Sequence, residues 1–146
     1  MTGTEAASGE PEFYFADVEA FVSGYLSPVI RRRIDGSSAT WCPQWWQHPE
    51  ASARLTALWL AWEHLRKEPG PGMSTWWLYH VDPHLRVLMD VDAGPFAACS
   101  PEDGHTAQPF APLPLDTMPV PEAGPALPSL GRPSPLPPPP PFRTAT

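Results

Sequence analysis

Six cysteine and histidine side chains in this sequence are spaced in ways that suit a metal ion. They are Cys42, His48, His80, His84, Cys99 and His105. A structural Zn²⁺ takes four nitrogen or sulfur ligands, and this set offers more than that number. The spacing Cys-x5-His occurs twice, and His80 and His84 stand four residues apart, which brings two imidazoles to one face of a helix. The set therefore suggests a structural zinc site.

A second interpretation of the same residues needs no metal. Pro83 lies between His80 and His84 and can break the helix that would align them, and the sequence has no Cys-x2-Cys knuckle. The thiols and imidazoles would then be buried side chains that pack and form hydrogen bonds. On the sequence alone we predict no cofactor and keep zinc as the alternative.

The usual signatures of catalysis are missing. The sequence contains no Gly-rich phosphate loop, no nucleophile elbow and no paired-carboxylate motif. Cys42 with His48 could form a thiol nucleophile and its base. Glu63 and His64 are neighbours, but adjacent helical residues point about 100° apart and do not face one site. We assign no catalytic residue and favour a protein without enzymatic activity.

Seven tryptophans are the strongest signal in the composition. Most are expected in the core, because each buries a large area in a short chain. Consecutive side chains diverge, so we predict that at least one of Trp45, Trp46, Trp76 and Trp77 lies on the surface. An exposed tryptophan is a candidate anchor for another protein. A protein-interaction module of unidentified partner is therefore the leading hypothesis for function.

The charge argues against nucleic acid as a partner. The formal net charge is −7, and the run of three arginines at residues 31–33 is the only basic cluster. An acidic chain repels phosphates, and cations in the last turn of a helix have an ordinary structural role. A small zinc-binding or nucleic-acid-associated protein is kept as the alternative function.

Signals for export and for membrane insertion are also missing. No run approaches the roughly 18 consecutive apolar residues of a membrane-spanning helix. The first dozen residues lack the basic start and apolar run of a secretory signal. Two cysteines are too few for a disulfide framework. We expect a cytoplasmic protein with reduced thiols and no membrane partner.

Apolar periodicity predicts the helices that must position these side chains. Asp17 is a plausible N-cap of the first helix. The second helix is apolar on most sides, which favours a central, heavily buried element. The first predicted helix covers residues 18–34 and is either kinked at Pro28 or divided there into two collinear helices. The other predicted helices are residues 49–67, a segment capped by Ser74, and residues 83–90.

The composition divides the chain into three parts. Residues 1–12 are small, polar and acidic, and residues 13–105 hold nearly all the aromatic side chains. In residues 106–146, 14 of 41 residues are proline, a composition that cannot bury enough surface to fold. The predicted fold is mainly α: a small three- to four-helix Trp-rich domain with a disordered N-terminus and a disordered Pro-rich C-terminal tail.

Several motifs give the chain a resemblance to a known family. They are WCPQWWQHPEA at 41–51, LWLAWE at 58–63, MSTWW at 73–77, HVDPH at 80–84 and GPF at 94–96. With them the chain resembles an uncharacterised Trp-rich domain family with a WCPxWW signature, common in actinobacteria and often found on plasmids and integrated elements. The resemblance covers roughly residues 15–105 and excludes the proline tail. It implies an accessory role in mobile elements, and no activity, fold or ligand.

Overall fold

The computed structural model describes residues 12–107 and 110–120. In that part the chain forms three helices and no β-strand, so the mainly helical fold is confirmed. None of these helices is both long enough and apolar enough to cross a bilayer. The chain divides into two units, Met1–Pro112 and Leu113–Thr146. In the second unit, the described residues 113–120 are exposed and form no regular element.

The predictions of disorder concern the two ends of the chain. Apart from Glu12, the N-terminal stretch 1–12 lies outside the described residues, as do residues 108, 109 and 121–146 of the tail. The described remainder of the tail, residues 106–107 and 110–120, is exposed throughout and contains no helix.

Helix α1 changes its winding along its length. It consists of an α-helical turn, Val18–Phe21, a π-helical stretch, Val22–Leu26, and a final turn, Ser27–Val29. Asp17 caps it as predicted, because its side-chain Oδ1 accepts a hydrogen bond of 2.8 Å from the N–H of Ala20.

The first helix ends earlier than the sequence pattern suggests. Ile30 is already extended, with φ −94° and ψ 102°, and residues 31–34 are not helical, so the predicted helix over 18–34 is wrong beyond Val29. Ile30 and Ile34 are half-buried in this non-helical segment, so they continue the apolar spacing of the helix without belonging to it. The arginine run therefore lies outside the helix and not in its last turn.

Helix α2, Pro49–Leu65, starts at the predicted proline and ends two residues before the predicted end. One face is buried, and its residues are Ala51, Leu55, Leu58, Trp59, Trp62 and Glu63. Ala53, Ala57 and Leu60 on the other side are exposed. The expectation of a helix buried on most sides is therefore wrong, because two other helices are too few to enclose it.

Helix α3 runs without interruption where two helices were predicted. It consists of Gly72–Thr75, a π-helical stretch, Trp76–Val81, and Asp82–Leu88. It begins at Gly72 and not after Ser74, so Ser74 is not its N-cap. A Cβ atom at Gly72 would meet the carbonyl oxygen of Leu65 and the Cβ of Glu68, so only glycine allows α3 to start this close to the end of α2.

A π-helical stretch precedes each of the two prolines inside the helices, Pro28 and Pro83. In each stretch a backbone N–H bonds to the carbonyl five residues earlier: Ser27 to Val22, and Asp82 to Trp77. A proline ring clashes with the carbonyl four residues before it in a regular α-helix. The wider turn relieves that clash, and α3 continues through Pro83.

The core between the three helices is built largely from aromatic rings. The ring centroid of Trp62 lies 5.7 Å from that of Phe21 and 4.9 Å from that of Tyr25, both in α1. Trp76 is fully buried, and its Nε1 donates a hydrogen bond of 3.0 Å to the Leu58 carbonyl oxygen. This bond ties α3 to the backbone of α2 and satisfies the buried indole donor.

The carboxylate of Glu63 attaches the segment before α1 to helix α2. Its oxygens accept hydrogen bonds from the backbone N–H groups of Tyr14 and Phe15, from Trp59 Nε1 and from Arg66 Nε, at 2.9–3.1 Å. Burial alone would raise the pKa of Glu63, but these four donors outweigh burial and lower it. Glu63 is therefore held as a buried carboxylate.

Two long loops lie side by side at one end of the helices. The loop before α2 and the loop after α3 are joined by a 3.1 Å hydrogen bond from the Thr40 N–H to the Met89 carbonyl. The Thr40 hydroxyl also donates to the Cys99 carbonyl at 2.6 Å. These bonds bring together residues that are far apart in the sequence.

Candidate metal centre

Four of the six candidate ligands come together between these loops. Cys42 and His48 come from the loop before α2, and Cys99 and His105 come from the segment after α3. One ligand atom of each residue lies within 4.8 Å of the others. The two Cys-x5-His pairs therefore form a single Cys2His2 group of a kind that can hold a metal ion.

The distances within the group match the size of a zinc site. Cys42 Sγ lies 3.5 Å from His105 Nδ1, and Cys99 Sγ lies 3.4 Å from His48 Nε2. The two ring nitrogens are 3.1 Å apart. Zn–S bonds of about 2.3 Å and Zn–N bonds of about 2.0–2.1 Å separate tetrahedral ligand atoms by about 3.3–3.8 Å. These three separations are close to the tetrahedral values, and all the separations within the group are at most 4.8 Å.

The segment around His48 is shaped by the residues on either side of it. A short 3₁₀ turn, Trp45–Gln47, precedes it, and the His48 N–H bonds to the Trp45 carbonyl at 3.1 Å. Because Pro49 follows, His48 is extended, with φ −106° and ψ 110°. His48 thus lies at the N-terminus of α2, with its ring turned to the loops.

A tight turn returns the chain from Cys99 to His105. Ser100 and Gly104 exchange backbone hydrogen bonds of 2.9 and 3.3 Å. Gly104 has φ +81°, a conformation that glycine adopts without strain. After the turn the Thr106 N–H donates to Cys99 Sγ at 3.3 Å. Backbone N–H groups that donate to a ligand atom orient it and are typical of the surroundings of metal ligands.

Burial shifts the pKa values of two residues of the group, Cys42 and His48. Cys42 is fully buried and His48 is 1% exposed. Burial, with a further contribution from neighbouring Cys99, raises the pKa of the Cys42 thiol to about 11. Burial, followed by the nearby His105, lowers the pKa of His48. His48 is therefore neutral and ready to ligate, whereas Cys42 would release a proton on binding a cation.

The other two candidate histidines do not belong to this group. His84 lies on α3, and its Nδ1 is 3.0 Å from Nη1 of Arg54 on α2. Burial, then the charges of Arg54 and His80, lowers the pKa of His84. A guanidinium beside the imidazole is an unfavourable setting for a metal cation. The structure therefore brings together four of the six candidate ligands and leaves His80 and His84 outside the group.

The four candidate tryptophan anchors divide into core and surface residues. Trp45 is 8% exposed and Trp76 is fully buried, so neither is available as a surface anchor. Trp77 is half-buried. Trp46 is 56% exposed, and its ring packs edge-on against that of Trp45 at 5.9 Å. Consecutive side chains diverge, so in each pair one tryptophan is more exposed than the other. The role of Trp46 in binding a partner stays a proposal.

A zinc ion held by all four residues of the Cys2His2 group would lie in a closed site. Four protein ligands complete a tetrahedral zinc and leave no position for substrate or water, which is typical of structural sites. Sequence reasoning noted the repeated Cys-x5-His spacing and missed the positioning roles of Thr40 and Thr106. These roles depend on hydrogen bonds between residues distant in the sequence, and no local motif indicates them.

Comparison with known proteins gives a family and no function. No curated protein and no solved structure matches the chain. The family model described as Domain of unknown function (DUF4913) matches residues 15–119. This range includes the three helices and all four residues of the Cys2His2 group. It extends beyond residue 105, where the resemblance was expected to end. The chain belongs to the DUF4913 family.

Proposed function

We propose that the chain is a structural zinc domain that serves as a protein-interaction module and not as an enzyme. The observation that carries the proposal is the convergence of Cys42, His48, Cys99 and His105 on one buried point. Four donors of the types that Zn²⁺ prefers, at separations that suit a tetrahedron, are a specific arrangement.

The position of the group explains what a metal would stabilise. The two segments that supply the ligands contain no regular element longer than the Trp45–Gln47 turn. A core of roughly 90 residues supplies limited stability, and small domains often add a metal or a disulfide. An ion held by both segments would fix them to each other and add its binding free energy to folding.

The setting of the protein follows from the same chemistry. Zinc needs Cys42 and Cys99 as thiolates, which persist in a reducing compartment, and both are free and buried. This supports a cytoplasmic protein. The exposed Trp46 supports a role in binding another protein. The resemblance to an actinobacterial family of plasmids and integrated elements supports an accessory role in a mobile element.

Metal analysis of the full chain tests the zinc site. We expect protein purified without chelator from zinc-supplemented medium to carry about one equivalent of zinc. The His105→Ala variant should lose the metal, because it removes one of four ligands. His84→Ala is the matched control, since it removes a half-buried histidine outside the group, and it should keep the full equivalent.

A second measurement covers the case in which His105→Ala does not fold. The wild-type protein is titrated with a zinc chelator while bound zinc and far-ultraviolet circular dichroism are followed together. We expect both signals to fall in parallel, because metal binding is coupled to folding. Wild-type protein that is isolated without zinc and melts cooperatively at the same temperature with and without added zinc would contradict the proposal.

A further inference from the structure

A groove lies beside helix α1 and is distinct from the metal centre. Its volume is about 500 Å³. One side is formed by apolar residues of α1 and the segment after it, among them Leu26 and Ile30. Trp41, Pro43 and Trp45 line it from the loop before α2. Cavities of this size accommodate a few side chains and not a folded domain.

The groove is also bordered by two positive charges that form no ion pair in the described part of the chain. Arg31 and Arg32 line it, and both are exposed. Their hydrogen bonds go to backbone carbonyls, from Arg31 Nε to Pro28 at 3.3 Å and from Arg32 Nη1 to Arg31 at 3.1 Å. Within residues 12–107 and 110–120, neither forms an ion pair.

Two of the six arginines in the described residues do form ion pairs. Arg54 pairs with Glu50 at 3.1 Å, and Arg66 pairs with Glu63 at 3.0 Å. Asp82, Asp90 and Asp92 line a neighbouring pocket together with Arg32, but none of them forms an ion pair with it in the described residues. An apolar groove bordered by two free guanidinium groups therefore complements an apolar side chain next to a carboxylate.

We propose that this groove binds a short acidic peptide segment of a partner protein, with an apolar side chain against Trp41 and Trp45 and a carboxylate paired with Arg31 and Arg32. Extended peptides commonly dock in aromatic-lined grooves of this kind. Two arginines are fewer than the four to eight cations that bind an acidic membrane surface, and the net charge of −7 opposes nucleic acid. This proposal rests on the interaction role proposed above and names its site and partner class.

The groove is connected to the metal centre through the chain. Trp41 and Pro43 flank the ligand Cys42, and Pro101, which also lines the groove, follows Cys99 by two residues. An ion that fixes these two cysteines also fixes one wall of the groove. Peptide binding should therefore weaken when zinc is removed, because the wall loses its fixed position.

Selection from a random peptide library tests the proposal. A phage-displayed library of 12-residue peptides is selected on the zinc-loaded full chain, and enriched peptides are synthesised and titrated by fluorescence anisotropy. We expect enriched sequences to place Asp or Glu within a few positions of a large apolar residue. Their Kd should rise at least tenfold for the Arg31→Glu/Arg32→Glu variant and should rise with ionic strength.

The control variant is Arg33→Glu. Arg33 belongs to the same exposed run but does not line the groove. The Kd of the peptides for the Arg33→Glu variant should therefore stay within about threefold of their Kd for the wild type. The proposal would be overturned if both variants changed the peptide Kd equally, or if the enriched peptides contained no acidic residues. If the enriched peptides bind more weakly to the Trp46→Ala variant but not to the Arg31→Glu/Arg32→Glu variant, the groove is not their binding site. That result would overturn the groove proposal and still support the proposal that the chain binds another protein. Zinc content, measured in parallel, tests the metal site separately.

Discussion

Replacing Glu63 by glutamine should cost about 3 kcal/mol of folding free energy. Each carboxylate oxygen accepts two hydrogen bonds, and Glu63 is 2% exposed. Glutamine keeps one oxygen, so two donors lose their acceptor. Hydrogen bonds to a charged group contribute about 1.5–3 kcal/mol each, and removing one partner of a buried ion pair costs about 3–5 kcal/mol. The expected cost lies at the low end of these ranges, because water reaches Tyr14 and Arg66 and can accept the hydrogen bonds that the lost carboxylate oxygen accepted.

The matched control is Glu50→Gln, an identical chemical change on the same helix. Glu50 pairs with Arg54 at 3.1 Å, but its side chain is 46% exposed. Exposed pairs and first-turn carboxylates contribute little, so the loss should stay below about 1 kcal/mol.

Urea unfolding at pH 7 measures both variants, with zinc kept in constant excess because bound metal shifts the apparent stability. The slope of free energy against urea should not change, since both variants keep the same fold. If Glu63→Gln loses no more stability than Glu50→Gln, the carboxylate does not hold the N-terminal segment as described.

Three further predictions concern the same core. Because the pKa of Glu63 is lowered in the fold, its contribution is complete above its ordinary pKa of 4.5 and is lost as the pH falls through the lower folded pKa. The stability difference between wild type and Glu63→Gln, measured by urea unfolding, should therefore shrink below about pH 4.5 and stay constant above about pH 6. Trp45→Ala should lower the free energy of unfolding by about 3–5 kcal/mol, whereas Trp46→Ala should cost less than about 1 kcal/mol; similar losses would mean that both rings are in the core. Gly72→Ala should lower the stability by about 1–3 kcal/mol in thermal unfolding, because the new Cβ meets the Leu65 carbonyl; unchanged stability would show that α3 can move away from α2.

Local signals in the sequence predicted the existence of the helices and several of their starts. The apolar stripe of α1, the Asp17 cap and the proline at the start of α2 depend on neighbouring residues alone, and the structure has all three. The end of α1 and the union of the last two predicted helices were missed. The union depends on how a π-helical turn accommodates a proline, which an apolar pattern does not record. The end of α1 was missed because the half-buried Ile30 and Ile34 continue the apolar spacing beyond the helix.

The candidate site was only partly predictable for a different reason. Residue types, the repeated Cys-x5-His spacing and the i, i+4 spacing of His80 and His84 are visible in the sequence, and together they offered six candidate ligands. The path of two long loops selects four, through contacts such as those from Thr40 to Met89 and to Cys99. Likewise, the divergence of Trp45 and Trp46 was predictable, but which of them faces the core depends on the fold around them.

The π-helical stretch of α3 has a consequence for how this chain can change in length. The buried residues Trp76 and Val81 are five positions apart across it, whereas the regular α-helical step is three or four. Loss of one residue between them would give a regular helix and leave the buried faces of both halves aligned. The same loss in the middle of α2 would turn half of its buried face by about 100°. A regular helix would restore the clash of Pro83 with the preceding turn, so single-residue deletions between Trp76 and Val81 should be tolerated only in relatives without a proline at that position. Deletions within Pro49–Leu65 should be selected against in all relatives.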